Sequence, residues 1–217
     1  MSAKKQAIVD TASRLFAAHG YHAVGIDRII KESGVAKMTL FRHFPSKHAL
    51  ICEVLSQRTD AARQSMADAA GAHDTALARL RAVFDWHHGR FTSPDFTGCL
   101  FVGALSEFHD GAGEPARLAA AQKDGLRGFV QALLGELVAP AEAAPLARQL
   151  VMMLDGATLA ATAGSREQAA GEAWQAAACL IAARGRQTGQ AAEAAQAAQT
   201  AQAALPALAH ETGSIGG

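Results

Sequence analysis

No long hydrophobic run occurs in this chain. Half of its residues are hydrophobic, but Arg, Gln, Glu or Gly interrupts every apolar stretch. No window reaches the roughly 18 uninterrupted apolar residues of a membrane-spanning helix, so no membrane partner is expected. The start, Met1 to Lys5, is basic. Asp10, Ser13 and Arg14 then follow before any apolar run, so no signal peptide is read and a cytoplasmic protein is expected. Cysteine is scarce: Cys52, Cys99 and Cys179 are odd in number, widely spaced and form no CxxC pair. That excludes a disulfide framework, and the three read as reduced thiols packed in the core. Strand signals are missing too, since no segment alternates with period two in β-branched residues. Nucleophile elbow, P-loop and dinucleotide fingerprint are all absent, so an enzyme is not expected, nor a cofactor. His87 and His88 are adjacent and diverge on a helix, with no ligand four residues from either, so no metal site is read.

What the chain does have is an uneven distribution of charge. Twenty Lys and Arg balance twenty Asp and Glu overall. Residues 1–52, however, carry eight basic residues (4, 5, 14, 28, 31, 37, 42, 47) against three acids (10, 27, 32). A basic head on an acidic body points to a polyanionic partner for the head alone. Helical patterning dominates throughout, which predicts an all-α protein. Ile8, Ala12, Leu15 and Phe16 share a face over 5–18, and Gly20 stops that helix. Helices are predicted over 26–33, ended by Gly34, over 37–44, ended by Pro45, and from Ser46 to about Gly71. Further on, Leu77, Leu80, Phe84 and His87 form one stripe, 89–98 reads as loop, and 99–109 as a short apolar helix. Asp110 to Gly113 reads as a turn before Pro115. Leu126 to Leu137 forms another stripe, followed by helices over 145–163 and 166–184. Residues 190–204 hold nine Ala and four Gln without a large apolar side chain, so 187–217 reads as a low-complexity tail.

The most informative stretch runs from Gly25 to Phe44, GIDRIIKESGVAKMTLFRHF. Two short amphipathic helices flank a three-residue turn, Gly34-Val35-Ala36. Gly34 supplies a left-handed residue and Val35 an apolar plug. Ile29, Ile30, Leu40 and Phe44 then point inward, leaving Lys37, Met38, Phe41, Arg42 and His43 on the outer side of the second helix. A helix of that width enters a major groove, where Lys and Arg read guanine or neutralise phosphate.

These residues resemble the N-terminal part of the tetracycline-repressor (TetR) family. The resemblance rests on the A-x-x-L-F-x-x-x-G-Y of Ala12 to Tyr21, the I-x-x-x-S-G-V of Ile29 to Val35, and K-M-T-L-F-R-H-F-P-S-K from Lys37 to Lys47. It implies a transcriptional regulator that binds double-stranded operator DNA as a homodimer, represses, and is released by an unidentified small-molecule effector. It implies DNA contacts from Lys37, Met38, Thr39, Phe41, Arg42 and His43 on the recognition helix. It further implies a phosphate contact from Lys47 at a helix start, and an approach of Arg28 to the backbone. Two departures stand out: Phe41 lies where relatives have Tyr, and Gly25 where they have Ser or Thr. Both remove a hydroxyl that could meet phosphate.

The division expected from this reading is a helix-turn-helix DNA-binding domain over 1–46, a helical ligand-binding and dimerisation domain over 47–186, and the tail over 187–217. Six of the twelve aromatic residues fall between Phe84 and Phe108. A ligand pocket is therefore expected around Trp86, Phe91, Phe96, Phe101 and Phe108, with Asp155 as its polar group. Glu107 and His109 diverge as neighbours on a helix and are given no joint role.

Overall fold

A computed structural model describes residues 2–108 and 113–185, and every regular element among them is a helix. In chain order these are α1 (Ala3–His19), α2 (Ile26–Ser33), α3 (Lys37–His43), α4 (Lys47–Gly71) and α5 (Ala76–Phe91). Then come α6 (Leu100–Glu107), α7 (Glu114–Leu134), α8 (Pro140–Thr162) and α9 (169–185, where the description ends). The predicted tail over 187–217 and the turn from Asp110 lie outside the described residues, apart from Gly113.

Local chemistry sets the helix ends. Ser2 caps α1 by accepting from the Lys5 N–H at 3.2 Å, and Ser46 caps α4 by accepting from Ala49 at 3.1 Å. Thr75 caps α5 in the same way through Ala78. Gly20 ends α1 at φ 80°, and its N–H reaches the Phe16 carbonyl.

Three apolar clusters result. The first joins Ile8, Leu15 and Phe16 of α1 to Ile29 of α2, Leu40 of α3 and Leu50, Val54 and Leu55 of α4. It also takes in Phe101 and Ala104 of α6 and Ala119 of α7, so the head's core continues into the body. Truncating a buried leucine such as Leu40 to Ala costs about 2–5 kcal/mol. The second cluster packs α7 on α8, with Leu80, Val83 and Phe84 of α5 and Ile181 of α9. The third is small: Phe91 and Phe96 rest on Ala157, Ala161, Ala169 and Ala170. Arg166 seals it by donating to the Phe96 carbonyl at 2.9 Å and lying over the Phe96 ring.

Several expectations need correction. Leu77, in the first turn of α5, is exposed rather than part of the buried stripe. α5 runs on to Phe91, three residues into the expected loop, where Phe91 is buried; the rest of that loop, 92–98, is non-helical. α8 starts at Pro140 rather than 145: Pro140 takes the first position, and Pro145 sits inside the second turn. The cysteines are not core residues. Cys179 is exposed, and Cys52 and Cys99 are only partly buried.

Candidate nucleic-acid interface

The turn between α2 and α3 is built as its residues demand. Gly34 adopts φ 66°, ψ 12°, and its N–H closes onto the Ile30 carbonyl at 3.1 Å. A side chain there would hold the left-handed conformation only at a cost. Val35 is buried beneath the turn, and Ser33 Oγ accepts its N–H. Leu40 and Phe44 anchor α3 from below. Helical geometry then forces Lys37, Met38, Phe41 and Arg42 to the outside. Met38 is 81% exposed and Phe41 40%, so the outer side of α3 carries apolar as well as basic side chains. Thr39 and His43 are half-buried on the flanks.

The cations of this surface differ in how free they are. Among the described residues Arg42 has no hydrogen-bond or ion-pair partner. Lys37 lies 3.9 Å from Asp27 with both groups exposed, a pair of little energetic weight. Arg28 is engaged: its Nε donates to Glu32 at 2.9 Å, and its Nη2 bonds His19 Nε2 at 2.9 Å. Arg14 reaches the same Glu32 at 2.6 Å. Hydrogen bonds from Arg14, then Arg28, hold the Glu32 carboxyl below its ordinary range. Lys47 donates to the His22 carbonyl at 3.2 Å. Partial burial lowers its pKa, and the charge of Glu107 opposes that shift. Arg28 and Lys47 would therefore have to exchange an existing partner to meet a phosphate, whereas Arg42 would not.

Sequence reasoning missed the joint beneath this surface. Glu107, the last residue of α6, accepts the backbone N–H of Tyr21 at 2.8 Å on one oxygen and that of His22 at 2.7 Å on the other. His22 Nδ1 is also 2.8 Å from the second oxygen. Burial raises the Glu107 pKa, but the bonds from His22 and Tyr21 outweigh it and hold the carboxyl below its usual value. Tyr21 is buried, donates its hydroxyl to the Leu100 carbonyl at 2.9 Å, and packs against Phe16 and Phe108. Burial, then the charges of Cys99 and Glu107 themselves, keep that phenol protonated far above its usual range. The loop after α1 is thereby tied to both ends of α6.

The aromatic residues expected to line one pocket are dispersed. Phe91 and Phe96 pack against each other in the third cluster, and Phe101 and Phe108 belong with the first. Trp86 lies against the second and donates to Ser65 Oγ at 3.1 Å. Of the six, Asp155 lines both of the clefts described next. An open cleft of about 240 Å³ lies between α1, α6 and α8, lined by Tyr21, Leu100, Glu107, Asp155, Thr158 and Leu159 among others. A second, on the outer side of α7 and α8, has about 360 Å³ and includes Lys123 and Asp155, which form an ion pair. Among the described residues one side-chain group could hold a metal ion: His48, Cys52 and Glu114.

The model of the bacterial regulatory proteins of the tetR family matches residues 8–54. A solved TetR-family transcriptional regulator from Streptomyces coelicolor superposes with a TM-score of 0.80 at 31% identity, over 84% of this chain and 96% of that one. This chain belongs to the TetR family. It is a transcriptional regulator of a DNA-binding family, and the relatives named here are regulators, not enzymes. The regulator LmrA of Bacillus subtilis is 32% identical over 114 residues, 52% of this chain. That match spans only 61% of LmrA's own length. A regulator from Saccharomonospora viridis, solved in complex with choline, shares the fold at 21% identity and a TM-score of 0.68, over 83% of this chain and 96% of that one. No helix among the described residues is long and apolar enough to cross a membrane.

Proposed function

We propose that this TetR-family regulator binds a palindromic operator as a homodimer, represses from it, and is released by a small-molecule effector. The observation that carries the reading is α3: a short helix anchored by buried Leu40 and Phe44, with partnerless Arg42 beside exposed Lys37, Met38 and Phe41. Arg42 and Lys37 face the major groove, Met38 and Phe41 contact bases or sugar there, and Thr39 and His43 flank them. Arg28 and Lys47 grip phosphate after exchanging their present partners. The DNA-binding domain is 1–46 and the ligand-binding and dimerisation domain 47–186.

Dimerisation is supported by an unpartnered face on α8 and α9. Met152 and Leu159 are 63% and 72% exposed and stand on one side of α8 with exposed Gly156 between them. The exposed face of α9 carries Gly171, Gln175, Cys179 and Ala182, with Glu172 as its one charged residue. Small residues let helices approach closely. A two-fold dimer also doubles the DNA read, at a spacing near one turn, about 34 Å.

For the effector, the cleft beside the joint is favoured over the dispersed aromatic residues. A ligand touching Tyr21, Glu107 and Asp155 there would act on the contact that ties the head to α6. Preference for the state with that contact altered shifts the population away from operator binding, with α4 as the lever. The complex of the Saccharomonospora viridis regulator suggests a small cation as one class to try.

The test is a fluorescence-anisotropy titration of the purified protein against intergenic DNA beside its own gene. Saturable preference over random DNA, abolished in Arg42→Ala/Lys47→Ala with the fold intact, supports the reading. Equal affinity for operator and random DNA overturns it. Addition of candidate effectors to the same complex then tests release.

A further inference from the structure

The sequence offers no cluster of metal ligands, yet the fold assembles one away from α3 and away from the cleft. His48 and Cys52 lie four residues apart on α4, so they stand one above the other on the same side of the helix. His48 Nδ1 is 3.8 Å from Cys52 Sγ. Glu114, the first residue of α7, brings a carboxylate to the same point, and the three ligand atoms all lie within 4.8 Å of one another. A tetrahedral zinc centre with bonds of about 2.3 Å to sulfur and 2.0 Å to nitrogen separates those two atoms by about 3.5 Å. The side chains therefore need little movement to close on one ion.

We propose that His48, Cys52 and Glu114 form a binding site for a borderline divalent cation of the Zn²⁺ type, fastening α4 to the start of α7. The donor set selects the ion. One sulfur, one imidazole nitrogen and one carboxylate oxygen suit Zn²⁺ and its first-row neighbours, whereas Mg²⁺ and Ca²⁺ demand oxygen. Charge also balances: a thiolate and a carboxylate neutralise a dication, and the imidazole binds neutral. On binding, the thiol proton leaves to solvent as the S–metal bond forms. Three protein ligands leave a fourth position, and the exposure of His48 and Glu114 opens it to water.

The alternative for this cysteine is redox chemistry, and its surroundings oppose that. Burial, then the charge of Glu114 and the hydrogen bond to it, push the Cys52 thiol up to about 11. A thiol held in that form is a poor nucleophile, and a metal ion that binds it competes with the same proton, so binding strengthens as pH rises. A metal that displaces the proton turns the same contact into a bond. Arg117, one turn into α7, favours the thiolate and does not supply a donor.

The position gives the site a consequence. α4 carries α1–α3 against its first turns through Leu50, Val54 and Leu55, while α7 belongs to the body. An ion here fixes the approach of the two helices. On the operator-binding reading above, on which this one consequence rests, operator affinity would change by the same factor as metal affinity. Metal binding itself does not depend on that reading, and its test uses no DNA.

The experiment is a Co²⁺ titration of the full-length protein, reduced and freed of metal with a chelator, followed by absorption. The expected result is a thiolate-to-cobalt charge-transfer band with the intense visible bands of a tetrahedral site. It saturates at one ion per chain, is bleached by Zn²⁺ and is insensitive to Mg²⁺. Cys52→Ser should abolish the charge-transfer band, and His48→Ala and Glu114→Gln should each weaken binding at least tenfold. Cys99→Ser and Cys179→Ser should leave it unchanged. Circular dichroism confirms that the variants fold, and Zn²⁺ should raise the Tm of the native protein but not that of Cys52→Ser. No charge-transfer band in the native protein, or a band that survives in Cys52→Ser, would overturn the proposal.

Discussion

Acidification from pH 7.5 to 5 should destabilise the body through His87. Its Nδ1–H donates to the Val83 carbonyl at 2.8 Å, and its ring meets Trp86 edge-on and lies close to Phe91. Burial drives the imidazole down from 6.5 to about 4; the Val83 bond and Asp155 oppose this, while Lys123 and Arg90 add to it. The unfolded chain binds the proton near pH 6.5 and the folded chain only near pH 4. Between those values the unfolded state holds more protons, so stability present above pH 6.5 is lost as pH falls. At pH 5 the loss is about 2 kcal/mol from a shift of this size. The residue's outer edge keeps some exposure, which makes that figure a ceiling. Carboxyls held low by their partners, such as Glu53 and Glu107, lose their contribution only below their ordinary value of 4.5. The window from pH 6.5 to 5 therefore keeps these carboxyls out of the measurement. Urea unfolding at pH 7.5 and 5, at one protein concentration, measures the effect. His87→Phe, which can keep the ring contacts, should flatten the pH dependence. An equal loss of stability in native protein and variant would refute the assignment.

Other outcomes follow from the same geometry. Gly20→Ala places a Cβ 2.7 Å from Glu107 Oε1 on a residue with φ +80°, straining the joint between α1 and α6. A Tm fall of roughly 2–8 °C is expected in a thermal melt, and an unchanged melt would contradict the close contact. Phe41→Tyr restores a hydroxyl at the exposed edge of α3 and should tighten operator binding about fivefold per recovered hydrogen bond; unchanged affinity in the anisotropy titration would show that this edge does not reach phosphate. Leu159→Glu puts a charge on the bare face of α8 and should convert dimer to monomer in analytical ultracentrifugation with unchanged helicity. A dimer that persists would move the interface elsewhere.

How much of this was legible in the chain depends on distance along it. The helix-turn-helix could be read because its signals are local: Gly34 for the left-handed turn, Val35 for the plug, and Leu40 and Phe44 one turn apart. The all-helical body was equally legible from periodicity, although helix starts such as Pro140 were not, because two prolines competed for the first position. The dispersal of the aromatic residues was not legible, for a physical reason. Aromatic residues crowded between Phe84 and Phe108 share a stretch of sequence but not a helix face, so packing sends them to three clusters. Glu107 was invisible because its partners, Tyr21 and His22, are 86 and 85 residues away. The cluster around Cys52 was half visible. His48 and Cys52 show helical spacing in the sequence, whereas Glu114 joins them only when α7 packs on α4.

The central claim is that α3 meets DNA with Arg42 as its free cation, once in each subunit. The direct measurement is the salt dependence of operator affinity for native protein and Arg42→Ala. Each phosphate neutralised contributes about −0.9 to the slope of log K against log[salt]. Losing Arg42 from both subunits should make the slope shallower by about 2, with affinity reduced and the dimer intact. A slope identical to that of the native protein would contradict the account, because Arg42 would then neutralise no phosphate.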